Sequence, residues 1–151
     1  MDKALEQDII KTSKFLHYNI EQAVNAMLSD SDITAAQSHV LMFIMGSGED
    51  VRASQIHRQL HISRATVSGL MKKLRAKGYV TIEGCENDER QKKITATEKA
   101  RQHTEEIKGC MSRIEDIAFE DFTDEELETL HRLIRKMAGN LDNIKNTQIN
   151  F

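Results

Sequence analysis

A chain of 151 residues with no Pro, 7 Gly and a formal net charge of −3 has the size of one domain, room for a core of its own, and a leaning toward helix. No apolar run approaches membrane-spanning length, and the N-terminus, Met1-Asp2-Lys3-Ala4, lacks a secretory pattern, so neither a membrane protein nor an exported one is expected. The expected place is the cytoplasm, where the 2 Cys would be reduced thiols and not a structural disulfide.

Residues 2–28 predict one long helix. Leu5, Ile9, Leu16, Ile20, Val24, Met27 and Leu28 recur at helical spacing, and Phe15 and Tyr18 widen the apolar surface. The Ser29-Asp30-Ser31-Asp32 cluster ends it. A small domain alone cannot cover so long a stripe, so an intersubunit role is expected. Thr34-Ala35-Ala36-Gln37 reads as a capping box. It opens a helix carrying Val40, Leu41, Phe43, Ile44 and Met45, nearly continuous in apolar content and expected at the domain's centre. Gly46-Ser47-Gly48 ends that helix, and residues 49–52 lead on.

Ala53–Leu60 predicts a short helix with Ile56 and Leu60 on one side. His61-Ile62 is a turn, and Ser63 can cap the helix that follows by accepting a bond from a free first-turn N–H. That helix runs to about Lys77 and stops at Gly78, a residue at ease in the left-handed backbone. Two short helices joined by a tight turn form a helix-turn-helix, whose second helix can lie in a DNA major groove. Val67, Leu70, Met71 and Leu74 make its core stripe. Its outer face carries Ala65, Ser68, Gly69, Lys72 and Ala76, flanked by Thr66 and Lys73. Small residues let a backbone approach base edges, hydroxyls bond bases or phosphates, and Lys supplies charge. Taken alone, the same face would suit any solvated amphipathic helix.

A hairpin follows. Val80 and Ile82 alternate with Tyr79 and Thr81 as in a half-buried strand, a polar loop spans 84–91, and a second strand returns over Lys92–Thr95. A hairpin beside a helix-turn-helix is a wing. Arg90 at its tip suits a narrow minor groove, with Asp88 placed to orient it. Thr97 is expected to cap a long helix reaching about Phe119, with Ile107, Cys110, Met111, Ile114, Ile117 and Ala118 as its stripe. Thr123-Asp124-Glu125-Glu126 is a second capping box. The last helix carries Leu127, Leu130, Leu133, Ile134, Met137, Leu141 and Ile144. Two long amphipathic ends thus bracket the reader.

Charge follows the same division. Arg52 to Arg101 holds 12 Lys and Arg against 5 Asp and Glu, a net of +7, while the rest holds 9 against 19, a net of −10. Positive charge confined to one segment is the footprint of a DNA-contacting lobe on an acidic body. Aromatics are few and do not cluster on the hairpin, which argues against stacking on single strands.

Asp88-x-Arg90-x-x-x-Ile94-x-Ala96-Thr97 resembles the wing signature of the MarR family of multiple-antibiotic-resistance-type regulators. Ser63-Arg64-Ala65-Thr66-Val67-Ser68, with Leu74-x-x-Lys77-Gly78-Tyr79-Val80 further on, is similar to its recognition helix and entry to the wing. The resemblance covers nearly the whole chain. The sequence departs from the pattern with Ala96 where Leu is usual, Ala100 where Gly is frequent, Gly69 where larger side chains are common, and Glu86 and Glu89 in the loop.

The resemblance implies a mostly α fold with a small β-wing over 1–151, a DNA-binding winged-helix lobe over about 34–97, and dimerisation helices over about 2–28 and 98–146. It implies a homodimeric repressor of a pseudo-palindromic operator, relieved by a small-molecule or redox signal. The expected DNA contacts are Ser63, Arg64, Ala65, Thr66, Ser68, Gly69, Lys72, Lys73, Asp88, Arg90 and Lys92. A small amphipathic or phenolic ligand would be walled by Phe15, His17, Met42, Met45 and Met111, since Met adapts to varied shapes. The rival reading is a winged-helix interaction module that dimerises or docks proteins without reading DNA.

Other chemistry is thinly supported. The chain has no Gly-rich phosphate loop, nucleophile elbow or zinc-hydrolase motif, so neither an enzyme nor a cofactor is expected. His57 and His61 are four apart, and His39 or His103 would have to complete a metal site across the fold, so none is assigned. Cys85 in the wing loop and Cys110 on an apolar stripe are the redox candidates, Cys110 being expected buried.

Overall fold

The computed structural model describes residues 2–48, 50–84 and 92–147, with side chains up to Asp142. The chain divides into two compact units, Met1–Glu115 and Asp116–Phe151.

The first unit begins with α1, Lys3–Met27, capped by the Asp2 carboxylate, which accepts from the amides of Ala4 and Leu5. The predicted stripe is present, but only its end finds a core: Val24 and Leu28 are buried, whereas Leu5, Ile9, Ile10, Phe15, Leu16, Tyr18 and Ile20 are exposed. α2, Ala35–Gly46, opens on the expected capping box. The Gln37 amide donates to Thr34 Oγ1 at 3.4 Å, and the Thr34 amide donates to Gln37 Oε1 at 3.3 Å. Ala35, Val40, Leu41 and Ile44 are buried. α2 is the central helix, as its near-continuous apolar content requires.

α3, Ala53–Leu60, and α4, Arg64–Ala76, pack on α2 through Ile56, Val67, Met71 and Leu74, all buried. Leu70 of the expected stripe is half-buried. β1, Val80–Glu83, pairs antiparallel with β2, Lys93–Ala96, in the register Val80↔Ala96 to Glu83↔Lys93. Each strand starts one residue later than its sequence suggests. At β1 the cause is visible: the Tyr79 amide is already spent on the end of α4, donating to the Leu74 carbonyl at 2.9 Å.

A further strand position escaped the sequence. Val51 forms an antiparallel bridge with Ile94, each amide donating to the other's carbonyl at 3.0 and 2.8 Å. Both side chains are buried. α5, Glu98–Ala118, starts at Thr97, whose Oγ1 accepts from the Ala100 amide at 3.4 Å. It buries Ala100, Thr104, Ile107, Cys110 and Ile114. At roughly 1.5–3 kcal/mol for each fully buried large aliphatic side chain, this core is the main source of the lobe's stability.

The second unit holds α6, Asp124–Thr147. The Glu126 carboxylate accepts from the Thr123 amide and hydroxyl, both at 2.9 Å, and Thr123 Oγ1 accepts from the Glu126 amide at 3.3 Å, closing the expected capping box. These bonds hold the Glu126 carboxyl below its ordinary range. Phe119 and Phe122 meet edge to face at 5.9 Å. Leu130, Leu133, Ile134, Met137 and Leu141 stay exposed. Among the described residues no helix is long and apolar enough to cross a membrane.

Candidate nucleic-acid interface

The outer face of α4 follows from its fixed inner face. With Val67, Met71 and Leu74 buried, the helical period turns Arg64, Ala65, Thr66, Ser68, Gly69, Lys72, Lys73 and Arg75 to solvent, and all eight are exposed. α4 thus carries four cations and no carboxylate. An added Cβ at Gly69 would meet nothing within 4 Å, so no packing inside the chain requires a glycine there.

Both ends of this helix are pinned. At the start, Ser63 Oγ accepts from the Thr66 amide at 3.0 Å and shares a 2.7 Å bond with Thr66 Oγ1. That bond uses one of the two hydroxyl protons, so the pair keeps one proton to offer a phosphate or base. The preceding turn is set by His61 in the left-handed region (φ 54°). His57 Nδ1 reaches across it to the Ile62 carbonyl at 2.5 Å. A carbonyl only accepts, so Nδ1 carries the proton. His57 is therefore a brace of the turn, and among the described residues no group of three or more potential metal ligands is assembled.

At the end of α4, Gly78 (φ 78°) allows a Schellman closure. Its amide donates to the Arg75 carbonyl at 3.0 Å, while that of Tyr79 reaches Leu74. The buried Tyr79 side chain donates its hydroxyl to Asp32 Oδ1 at 2.5 Å. Burial, then that bond and the carboxylate's charge, push the Tyr79 phenol far up. The same bond, with help from Lys99 and Lys77, holds the Asp32 carboxyl below its usual range.

At the wing's base, Thr95 Oγ1 donates to Asp50 Oδ1 at 2.7 Å and Lys93 lies 3.7 Å from the same carboxylate. Lys92 is half-buried beside them in sequence. Asp88, Arg90 and Cys85, named above for the wing tip, lie outside the described residues. Cys110 is buried as expected, and burial, with the nearby Glu106 charge, pushes its thiol up. Of the expected ligand wall, Met42, Met45 and Met111 are half-buried against the core, while Phe15 and His17 stand exposed on α1. The sequence reading missed Val51 and Asp50, His57 as a brace, and Asp32 as anything more than part of a helix end.

The sequence pattern of the MarR family matches residues 31–91, the lobe just described. The HTH-type transcriptional regulator SarZ of Staphylococcus haemolyticus is 31% identical over 118 residues, covering 76% of this chain and 77% of that protein. A MarR protein from Peptoclostridium difficile superposes with a TM-score of 0.83 at 24% identity, over 95% of this chain and 93% of that one. The S. aureus MepR–DNA complex gives a TM-score of 0.77 at 22% identity, over 86% and 94%. A pinned, cationic α4, a wing behind it and these likenesses converge: the chain belongs to the MarR family of winged helix-turn-helix transcriptional regulators, a DNA-binding and non-enzymatic family.

Proposed function

We propose that this regulator is a cytoplasmic homodimeric repressor that reads a pseudo-palindromic duplex operator through α4. The observation that carries the reading is the exposed face of α4, cationic and free of carboxylates on a helix braced at both ends. Ala65, Thr66, Ser68 and Gly69 lie near base edges in the major groove, and Ser63, Arg64, Lys72, Lys73 and Lys92 contact phosphates. Arg90, oriented by Asp88, enters the minor groove.

Dimerisation is supported by α1, where Leu16 is 52% exposed on one long apolar stripe and Phe15, which widens it, is 63% exposed. A stripe of that size in water marks an interaction surface. A two-fold dimer sets half-sites about 34–36 Å apart, roughly one helical turn of DNA. Release follows binding of a small amphipathic or phenolic ligand, for which Met42, Met45 and Met111 offer adaptable walls beside Phe15 and His17. Oxidation of Cys110 does not suit the signal, because a buried thiol with a raised pKa is a poor nucleophile.

Footprinting on the DNA upstream of its own gene tests the operator. Two protected patches one helical turn apart support the dimer reading. A single patch, or none, contradicts it.

A further inference from the structure

We propose that Asp32, in the loop between α1 and α2, is the positioning residue of the DNA reader. The inference rests on α4 being the helix that reads DNA. Asp32 joins parts of the lobe that are far apart in sequence. Its carboxylate takes the Tyr79 hydroxyl on Oδ1 at 2.5 Å and the Lys99 ammonium on Oδ2 at 3.0 Å, and its main-chain carbonyl takes the Lys77 ammonium. Lys77, the C-cap of α4, also donates to Oε1 of buried Gln37 at 2.8 Å. Lys99, in the first turn of α5, donates to the Lys77 carbonyl at 2.9 Å and lies 4.3 Å from the centre of the Tyr79 ring. Thr97 closes the group by donating to the Gly78 carbonyl at 2.7 Å.

The entry to β1 and the start of α5 therefore meet at the Asp32 carboxylate, and the end of α4 joins them through Lys77, which links the Asp32 main-chain carbonyl to Gln37 at the start of α2. Its position matters more than its strength. The last carbonyls of α4 form the negative end of the helix, and Lys77 and Lys99 are cations placed there. Asp32 gathers both, so the far end of α4 is fixed against α2 and α5 while Ser63 and His57 fix the near end. A helix held at both ends presents its contacts without first losing freedom. One held only at its start occupies the binding geometry part of the time, and apparent affinity falls by that fraction.

The test is Asp32→Asn, with duplex binding measured by anisotropy across a salt series well below the melting temperature. Coulomb's law alone predicts tighter binding, because the change removes a negative charge from a protein that meets a polyanion. Positioning predicts the opposite sign: a loss on the order of ten-fold at every salt concentration, with the salt slope unchanged because no phosphate contact is lost. A purely structural role would lower the melting temperature and leave the affinity of the folded protein alone. Tyr79→Phe, which removes only the hydroxyl, guards against a poorly folding Asp32→Asn. It should weaken binding in the same direction, and the double variant should bind no worse than Asp32→Asn. Equal or tighter binding by both single variants overturns the inference. A wild-type protein that binds no duplex overturns the assignment of α4 to DNA, and this inference with it.

Discussion

Gly69→Ala separates what α4 does for the fold from what it does for DNA. Gly69 sits within α4 with helical backbone geometry, exposed, and an added Cβ would meet nothing within 4 Å. Within the chain the substitution has only a helix-propensity effect. Ala is favoured over Gly inside a helix by about 0.8–1 kcal/mol, which for a chain of this length raises the melting temperature by about 2–4 °C. Glycine there is locally unfavourable and nothing inside the chain requires it, whereas a close approach from outside would. If the backbone at Gly69 lies against base edges, the new methyl group falls in close-packed space, where an extra methyl costs about 1–3 kcal/mol. Kd should then rise about five-fold or more. Thermal melts by circular dichroism and operator binding by anisotropy should therefore move in opposite senses, a more stable protein that binds less well. Gly109→Ala on α5, where likewise nothing lies within 4 Å, supplies the stability gain without the binding loss. A Gly69→Ala protein that gains stability and keeps its affinity would refute the placement of Gly69 at the DNA.

Lys72→Ala should weaken binding to specific and scrambled duplexes alike and flatten the plot of log affinity against log salt by about one unit; an unchanged slope removes Lys72 from the phosphate contacts. Leu16→Glu, on the exposed face of α1, should shift sedimentation equilibrium toward monomer and abolish the concentration dependence of the melting temperature. Because the folded-state pKa of Asp32 is lowered, its charge stabilises the fold above the ordinary carboxylate value near ~4, and that contribution is lost as pH falls through the lowered value. The urea midpoints of wild type and Asp32→Asn should accordingly differ by a constant amount above about pH 5 and converge in acid; a gap that widens in acid would reverse the sign. In a Cys85→Ser background, Cys110 should resist a disulfide reagent until denaturant is added, and rapid native labelling would contradict its buried, high-pKa environment.

Local rules carried most of the fold. Caps at Thr34, Ser63 and Thr123, the stop at Gly78 and the stripe Val67, Met71, Leu74 all depend on residues within one or two helical turns, so spacing alone reveals them. The joint at Asp32 depends on partners 45, 47 and 67 positions away. In sequence, Asp32 is one acid in a polar helix end, and Lys99 one cation in a charged stretch. The Val51–Ile94 bridge was hidden for the same reason, a single strand residue having no period to detect. The α1 stripe was legible as a pattern, and its length already argued that this chain alone would not cover it; which of its residues the lobe does bury, Val24 and Leu28, was not. Periodicity marks which side chains seek burial, not whether this chain or a second copy provides it. At the interface, the face of α4 follows from its apolar stripe, whereas the shared hydroxyl bond of Ser63 and Thr66 and the His57 brace depend on side-chain geometry that spacing does not encode.

Reading of a specific operator by α4 has a direct consequence for binding. Titrating the duplex upstream of the protein's own gene, across a salt series and beside a scrambled duplex of equal length, reads that consequence. Specific proteins bind their sites about 10³–10⁷ times tighter than non-specific DNA, and affinity falls steeply with salt as phosphate contacts release counterions. A reader helix should give both features, a gap between the two duplexes and a steep slope on each. Equal, weak binding to both would contradict sequence-specific reading, and no binding even at low salt would contradict the placement of DNA on α4.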